Sequence, residues 1–385
     1  MNERLTIYIV GDFRSGAADG LAEFNYQNVK LLEDTFLFEF IEFNRAHSTD
    51  YYRKETREGI EVHCFGIQGL HVYKLSSLFR DWLAGLSANN MIFHLSHIWN
   101  INNYLIARQL VKLNIRYLIT PHDSYVYGRL YNKSKPFLKR LYRKAFVRIF
   151  DKYVLDHAQI VHALTAQCVP SLRSITSSKI SVVENQVKDV GISSTFSQIK
   201  PQVCYIGRLS IFQKGVDLAL AAFAHFKSTY RSAASYILVG PAEKEASEAC
   251  GLICENSGLT LDADVVLTGK LPEKERNTVL AESKVYLQLS RYEGFGLSVV
   301  QALSAFKPVV VSTGIPIGGV ILDYKAGFVA HNTQEASEAL KKLFSMPADA
   351  YEEMAKNARQ CYEKEFHPDV IKPKLIELYE SVVSK

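Results

Sequence analysis

The sequence predicts an α/β protein with two doubly wound domains, each a parallel sheet between helices, that face a cleft. Short apolar runs typical of buried strands alternate with helical segments along the chain. A polar, serine-rich stretch without periodicity, residues 188–202, interrupts this alternation and divides the chain into two halves. In each half, predicted strands run directly into glycine, histidine or basic residues, at the sheet edge where α/β proteins bind ligands.

Apolar patterning predicts the individual strands and helices. The predicted strands are residues 5–10, 37–43, 60–65, 91–95, 116–120, 158–164, 179–183, 203–206, 236–240, 265–267, 285–289, 309–312 and 327–329. The predicted helices are a segment that begins at Leu21 and residues 75–86, 101–113, 165–175 with an early break at Pro170, 218–226, 243–257, 273–283, 297–305, 333–344, 350–363 and 369–384.

Composition excludes several classes of protein. The 385 residues suffice for two or three domains, and 48% hydrophobic with 22% charged residues excludes wholesale disorder. No apolar run approaches the ~18–20 residues of a membrane span, and residues 1–10 predict a first strand rather than a signal peptide. Six scattered cysteines fit a reducing compartment. The spacing of Cys250 and Cys254 lacks the second pair of ligands of a zinc site, so we expect no metal.

Basic residues concentrate in residues 129–152, where Asp151 is the only acid and apolar residues recur at helical spacing. Two interpretations stay open for this segment. A basic amphipathic helix is typical of a contact with an anionic membrane surface. A helix that packs on the core with a basic solvent face has the same pattern. Nucleic acid is not expected as a partner, because no known motif surrounds these residues and the net charge is only +5.

A glycine-containing turn predicts an anion site in the second half. Residues 290–306 read S-R-Y-E-G-F-G-L-S-V-V-Q-A-L-S-A-F and join a predicted strand to a predicted helix. Gly294 and Gly296 allow a phosphate to approach the backbone amides at the helix N-terminus. Glu293 enters this turn as a carboxylate able to accept hydroxyl groups, and Gln301 follows on the helix. Alone, such a turn is equally compatible with a purely structural role.

The whole string resembles the E-G-F-G-L…E-A segment of retaining nucleotide-sugar glycosyltransferases with the GT-B fold (glycosyltransferase family 4-like, group 1). The resemblance implies that Glu293 contacts the transferred sugar and that residue 301 holds the ribose, although Gln301 stands where the family has glutamate. The turn amides implied to contact phosphate and sugar are those of Gly294, Phe295, Gly296 and Leu297.

A second motif, G-R-L-S-x-x-x-K-G-V-D-L-A-L, follows the predicted strand 203–206. Arg208 offers a fork and Lys214 a point charge to phosphate oxygens, although two basic residues in a loop are often merely solvated. The resemblance implies that they are the family's diphosphate-binding pair. We expect Asp217 to cap or orient its helix. The resemblance implies that Lys270 and Leu271, in the glycine loop after the predicted strand 265–267, lie near the nucleotide base.

In the first half, His122 follows the predicted strand 116–120, so its side chain is placed at the ligand-binding edge of the sheet. A histidine simply bonded in a turn is the alternative. The resemblance implies that His122 contacts the reacting sugar or the leaving phosphate. It also places Gly20 at a glycine pair that the family packs near the donor. His94 and His97 lack this support, and we expect them to be structural or acceptor-side.

The resemblance implies two Rossmann-like domains facing a cleft, with a C-terminal helix that crosses back to the first. We expect an acceptor-side domain at residues 1–188 together with the helix 366–385, a linker at 189–202 and a nucleotide-sugar-binding domain at 203–365.

The resemblance further implies a metal-independent, retaining, hexosyltransferase-type enzyme without a cofactor. The donor would be a nucleoside-diphosphate sugar, UDP-sugar ahead of GDP-sugar. The acceptor would be a glycan or lipid-linked molecule of bacterial surface glycoconjugate synthesis, at the cytoplasmic side of the membrane. Two alternatives stay open: a catalytically silent partner subunit, and a GT-B-fold nucleotide-sugar epimerase.

Overall fold

The computed structural model describes residues 4–11, 13, 20–44, 50–66, 75–86, 90–122, 137–192 and 199–384. The chain divides into two compact units, Met1–Gln186 with Ile371–Lys385, and Val187–Val370. The functional limits inferred from the sequence, 1–188 with 366–385, 189–202 and 203–365, stay a prediction.

The first unit contains an eight-stranded sheet with the order β3-β4-β2-β1-β5-β6-β7-β8. Its strands are β1 Thr6–Val10, β2 Leu37–Asn44, β3 Tyr52–Arg57, β4 Ile60–Gly66, β5 Met91–Ser96, β6 Tyr117–Thr120, β7 Ile160–Ala163 and β8 Ile180–Val182. All neighbours pair in parallel except β3, which pairs antiparallel with β4. The turn between these two strands has positive φ at Glu58 and at Gly59, the backbone of a tight hairpin. β3 is not among the predicted strands, because this edge strand is polar and mostly exposed.

Helices α1 Gly20–Leu32, α2 Ser77–Ala84, α3 Ile101–Lys112, α4 Phe137–Phe146, α5 Lys152–His157 and α6 Val169–Arg173 connect these strands. A π-helical turn, Val147–Asp151, joins α4 to α5, and a 3₁₀ turn, Ala166–Cys168, precedes α6. The prediction that Pro170 breaks a helix over 165–175 is wrong. Pro170 lies in the first turn of α6, where its missing N–H is not needed by the helix.

The second unit contains a six-stranded, wholly parallel sheet with the order β11-β10-β9-β12-β13-β14. Its strands are β9 Gln202–Ile206, β10 Ser235–Val239, β11 Val265–Gly269, β12 Val285–Gln288, β13 Val309–Ser312 and β14 Gly327–Ala330. Its helices are α7 Val216–Tyr230, α8 Lys244–Asn256, α9 Glu273–Glu282, α10 Leu297–Ser304, α11 Gly318–Asp323, α12 Thr333–Phe344 and α13 Ala348–Glu365. Two doubly wound parallel sheets confirm the predicted fold class, and the short α11 is an addition to it.

The C-terminal helix α14, Pro368–Val383, packs into the core of the first unit, as predicted. Its buried face recurs at helical spacing and consists of Ile371, Leu375, Leu378, Tyr379 and Val382. The ring of Tyr379 lies 5.6 Å from that of Phe36. Each such side chain contributes roughly 1.5–3 kcal/mol when it leaves water, so α14 is an integral part of this unit.

Candidate active site

Arg208, Lys214 and the glycine turn, which the sequence predicts to bind the donor, follow the carboxyl ends of β9 and β12, neighbours in the centre of the second sheet. β12 leads through the glycine turn into α10, and Gly296 precedes this helix with φ 109° and ψ 47°. That left-handed conformation favours glycine. The first amides of α10 have no acceptor within the helix and lie at the positive end of its dipole, so the turn can bind an anion.

Glu293 is 8% exposed and is held by a dense set of donors. Its Oε1 atom accepts hydrogen bonds from Lys214 Nζ at 2.6 Å, Gln288 Nε2 at 2.8 Å and Ser290 Oγ at 2.8 Å. Its Oε2 atom has no hydrogen bond to the residues that the structure describes. Glu293 and Lys214, which the sequence predicts to contact different parts of a ligand, form one ion pair in the structure.

Lys214 reaches Glu293 because the next residue is glycine. Gly215 precedes α7 with φ 60° and ψ 35°. A Cβ atom at Gly215 would lie only 2.0 Å from the carbonyl oxygen of Leu289. Only glycine therefore lets the loop after β9 approach the end of β12 this closely.

Arg208 follows β9 and is exposed. Its Nη2 atom lies 3.3 Å from Gln213 Oε1, and its carbonyl oxygen accepts a hydrogen bond from the Tyr205 hydroxyl at 3.0 Å. The guanidinium group thus remains available to a ligand while the backbone beneath it is fixed.

Asp217 lies in the first turn of α7 and makes no side-chain cap hydrogen bond, so the expectation that it caps this helix is wrong, while its contact with Arg291 agrees with the expectation that it orients the helix. It forms a two-pronged ion pair with Arg291, with Nη1–Oδ1 at 2.8 Å and Nη2–Oδ2 at 2.7 Å. Arg291 also donates to the carbonyl oxygen of Phe212 at 3.0 Å, and its guanidinium group lies 4.9 Å from that ring. We call Arg291 and Asp217 the loop clamp, since they tie the loop of Arg208 and Lys214 to the segment of Glu293.

The other predicted donor-binding residues have varied surroundings. Phe295 is buried, and its ring lies 5.7 Å from that of Phe366. Gln301 is half-buried on α10, and its side chain makes no hydrogen bond to the described part of the chain. Leu271 is half-buried between β11 and α9. Gly20 begins α1 in the first unit.

His122 lies in the first unit, directly after β6, and has features typical of a functional histidine. It adopts a positive φ of 52°, which is uncommon for a residue other than glycine. Its ring packs edge-on against Phe24 at 4.7 Å, and its Nε2 atom is buried without a partner among the described residues. Burial, reinforced by His97, lowers the pKa of His122 well below its ordinary value. The imidazole is therefore neutral at physiological pH.

His94, by contrast, belongs to a buried hydrogen-bond chain. It bonds the Tyr379 hydroxyl of α14 at 3.0 Å and Thr120 Oγ1 at 2.7 Å. Thr120 bonds His162 at 2.8 Å, and His162 bonds the carbonyl oxygen of Val183 at 2.8 Å. Burial lowers the pKa of His94 to about 3 and that of His162 to about 4. The geometry supports a structural role for His94.

Three metal-ligand side chains meet on β2 and β4 of the first unit, Glu39, Glu61 and His63. Each of these side chains already has a hydrogen-bond or ion-pair partner. His63 bonds Glu39 at 2.6 Å and the Tyr52 hydroxyl at 2.9 Å, and Glu61 pairs with Lys54. We assign no ion to them, and a metal-free site stays a prediction.

The basic segment 129–152 is described from residue 137 onward, and residues 129–136 lie outside the described part. Along α4 and the π-helical turn, large apolar side chains are unusually exposed: Phe137 68%, Leu138 76%, Leu141 54%, Tyr142 63% and Ile149 59%. Arg143, Lys144 and Arg148 lie among them. We call this the basic apolar patch. Among the described residues, no helix has the length and apolar content needed to span a bilayer.

A family model matches the second unit, and individual proteins match shorter or longer parts of the chain. Residues 192–361 match the family model described as glycosyl transferases group 1. The trehalose synthase of Pyrococcus horikoshii is 23% identical over 339 residues, which cover 80% of this chain and 79% of that protein. The trehalose synthase of Thermococcus litoralis is 38% identical over 104 residues, 26% of this chain. That match spans 24% of the archaeal protein, about a quarter of its length.

Solved structures match the fold over nearly the whole chain. Sucrose-phosphate synthase from Thermosynechococcus elongatus superposes with a TM-score of 0.75 and 17% identity, over 99% of this chain and 100% of that one. HepE of Anabaena, in complex with UDP and glucose, gives 0.72 and 15% over 98% and 100%. The fold is thus that of the GT-B class, with two Rossmann-like α/β domains. Within this fold, residues 192–361, less than half of the chain, are similar to the glycosyl transferases group 1 family.

Proposed function

We propose that the protein transfers a sugar from a nucleoside-diphosphate sugar, with retention of configuration, to a hydroxyl acceptor. The observation that carries this proposal is the convergence of two cations, one carboxylate and a helix N-terminus at the ends of β9 and β12. A diphosphate needs its charge neutralised, and a sugar needs acceptors for its hydroxyl groups. This arrangement offers both at one edge of the second sheet. UDP is the favoured nucleotide, since the solved neighbours include one with UDP and glucose and one with UDP-2-fluoro glucose.

Arg208, Lys214 and the amides of residues 294–297 hold the diphosphate in this proposal. Negative charge grows on the diphosphate as the glycosidic bond breaks, and fixed donors stabilise it most in the transition state. These groups supply enough positive charge that the mechanism needs no metal ion and no cofactor. Leu271 would contact the base and Gln301 the ribose, and Gly20 would lie near the donor, as the family resemblance implies.

Glu293 holds the transferred sugar rather than attacking it. Its Oε1 atom is occupied by three donors, and its Oε2 atom is left to accept a sugar hydroxyl. His122, a neutral imidazole with an unpartnered Nε2, would contact the reacting sugar or the leaving phosphate. A neutral imidazole can either donate to a phosphate oxygen or accept from a hydroxyl.

A thermal-shift panel of UDP, GDP and ADP with their glucose and mannose conjugates tests the donor class. A ligand that binds the folded state raises its apparent stability by mass action. We expect a shift with one nucleotide, and its loss in Arg208→Ala. No shift with any of them would favour the silent partner subunit. Turnover of the nucleotide sugar without an acceptor would favour the epimerase.

We also propose that the acceptor is a glycan or lipid-linked molecule of bacterial surface glycoconjugate synthesis, met at the cytoplasmic face of the membrane. The basic apolar patch supports this, because exposed apolar residues beside cations suit an anionic lipid surface. The protein should sediment with vesicles of phosphatidylglycerol and phosphatidylcholine but not with phosphatidylcholine alone. Leu138→Gln with Leu141→Gln should release it. Leu322→Gln, at an exposed leucine of α11 in the other unit, should not.

A further inference from the structure

A buried network of polar side chains, on β12 and just after it, holds Glu293 in place. Tyr286, Gln288 and Ser290 are each at most 1% exposed, at the end of β12 and just beyond it. The Gln288 side chain stands at its centre. Its Nε2 atom donates to Glu293 Oε1 at 2.8 Å and to Ser290 Oγ at 2.9 Å. Its Oε1 atom lies 2.8 Å from the Tyr286 hydroxyl and 3.1 Å from the Ser298 hydroxyl on α10.

The chemistry of the neighbours decides how this amide is oriented. A carboxylate oxygen only accepts hydrogen bonds, so the NH₂ group must face Glu293. The carbonyl oxygen must then face the two hydroxyl groups, which can both donate. Burial raises the pKa of Tyr286, so its hydroxyl keeps its proton. The glutamine is thus held from β12 and from the first turn of α10 at once.

Nothing about the strand itself explains a glutamine at this position. β12 is buried throughout, and the preceding Val285, Tyr286 and Leu287 are fully buried. An unsatisfied amide here would be costly, while an apolar residue would fit the core without any partner. The polar atoms of Gln288 therefore serve Glu293, the one charged group that they contact.

We propose that Gln288 is a positioning residue for the donor sugar, acting through Glu293. Together with Ser290 and Lys214, it saturates one oxygen of the carboxylate and thereby directs the other, Oε2, to a hydroxyl of the transferred sugar. This inference rests on the proposed function. It concerns only the sugar, because the diphosphate is held by other groups.

Titration calorimetry with UDP and with UDP-glucose tests this role. The quantity to follow is the ratio of the Kd for UDP-glucose to the Kd for UDP. In Gln288→Met this ratio should rise about tenfold, since one bond to a charged group is lost, while the Kd for UDP should change less than about twofold. A role confined to stability would move both constants together.

Gln202→Met is the matched control. Gln202 is also a buried glutamine bonded to a serine, with Nε2 2.8 Å from Ser283 Oγ, but it lies at the amino end of neighbouring β9. The ratio should stay at its wild-type value in this variant. Ser290→Ala removes a second donor to the same oxygen with little change in volume, and should raise the ratio about threefold. It decides the question if Gln288→Met does not fold.

The outcomes separate the inference from the function on which it rests. A wild-type ratio in Gln288→Met, or in Ser290→Ala where the first variant does not fold, overturns the positioning role and leaves the donor assignment intact. Wild-type protein that binds neither UDP nor UDP-glucose overturns the UDP-sugar assignment, and the positioning role with it.

Discussion

Replacing Asp217 by asparagine should lower thermal stability and weaken UDP binding together, because the loop clamp holds the phosphate-binding loop in place. The variant keeps the shape of the side chain and removes its charge. Asparagine retains one acceptor for Arg291, while its NH₂ group faces the guanidinium and repels it. The clamp then loses one of its two prongs and the attraction of the opposite charges.

The magnitude follows from the burial of the pair. The side chains of Arg291 and Asp217 are 29% and 30% exposed. Fully exposed pairs contribute about 0.2–1 kcal/mol, and a hydrogen bond to a charged group about 1.5–3 kcal/mol. We take an intermediate loss of about 2 kcal/mol for this partly buried, two-pronged pair. For a unit of this size, Tm should fall by roughly 4–8 °C. If most of this loss disorders the loop, the Kd for UDP should rise about tenfold.

Scanning calorimetry without ligand and titration calorimetry with UDP measure the two effects. Asp189→Asn is the control, because Asp189 forms a comparable pair with Arg359 in the same unit, at 2.6 Å and with 31% and 18% exposure. It lies outside the loop of Lys214, so it should lower Tm without changing the Kd. An unchanged Kd for UDP in Asp217→Asn, beside a lowered Tm, would refute the argument that the clamp preorganises the loop.

Three further outcomes are expected. Gln301→Glu should tighten UDP-sugar binding about tenfold in titration calorimetry, as a charged acceptor replaces a neutral one; an unchanged Kd would make the ribose assignment wrong. Because of the His94–Thr120–His162 chain, the free energy of unfolding should fall as the pH is lowered. Its folded-state pKa values of about 3 and about 4 lie below the unfolded value of about 6.5. The unfolded chain therefore binds more protons between these limits, at a cost of up to about 1.4 kcal/mol per pH unit and histidine. Urea midpoints at pH 7 and 5 measure this loss, which His162→Gln should reduce; equal wild-type midpoints would contradict it. Gly215→Ala should cost at least about 3 kcal/mol, because its Cβ would lie 2.0 Å from a carbonyl oxygen. Gly258→Ala, with φ 69° and open space around its Cβ, should cost only about 1–2 kcal/mol in the same urea titration. Similar losses in both would refute the steric argument.

The sequence predicted the buried strands well, since a strand covered on both faces is a nearly continuous apolar run. β3 was not predicted, because it is an edge strand whose mostly polar sequence has no apolar face. α11 was not predicted, because it is short and begins with Gly318 and Gly319. Pro170 was misinterpreted because a proline marks either a helix break or a helix start. Only the neighbouring fold decides between the two.

The site residues were recognisable, but their contacts were not. Lys214 and Glu293 are 79 positions apart, and they meet only because β9 and β12 are neighbours in a sheet whose order differs from the chain order. Gln288 was hidden inside the predicted apolar strand 285–289. A glutamine that interrupts such a run, followed two and five residues later by Ser290 and Glu293, is the signal that could have revealed the network. The loop clamp gives a weaker signal in the sequence: Asp217 lies in one motif and Arg291 in the other.

The return of α14 to the first unit gives this protein a particular order of assembly. During synthesis, the ribosome makes residues 187–370 before it makes the five apolar residues of α14 that complete the first core. Until then, Phe36 and Phe38 lack their contacts with Tyr379 of α14. A chaperone that shields these two side chains would protect the emerging chain. The first unit can therefore complete its core only after the second unit has been translated.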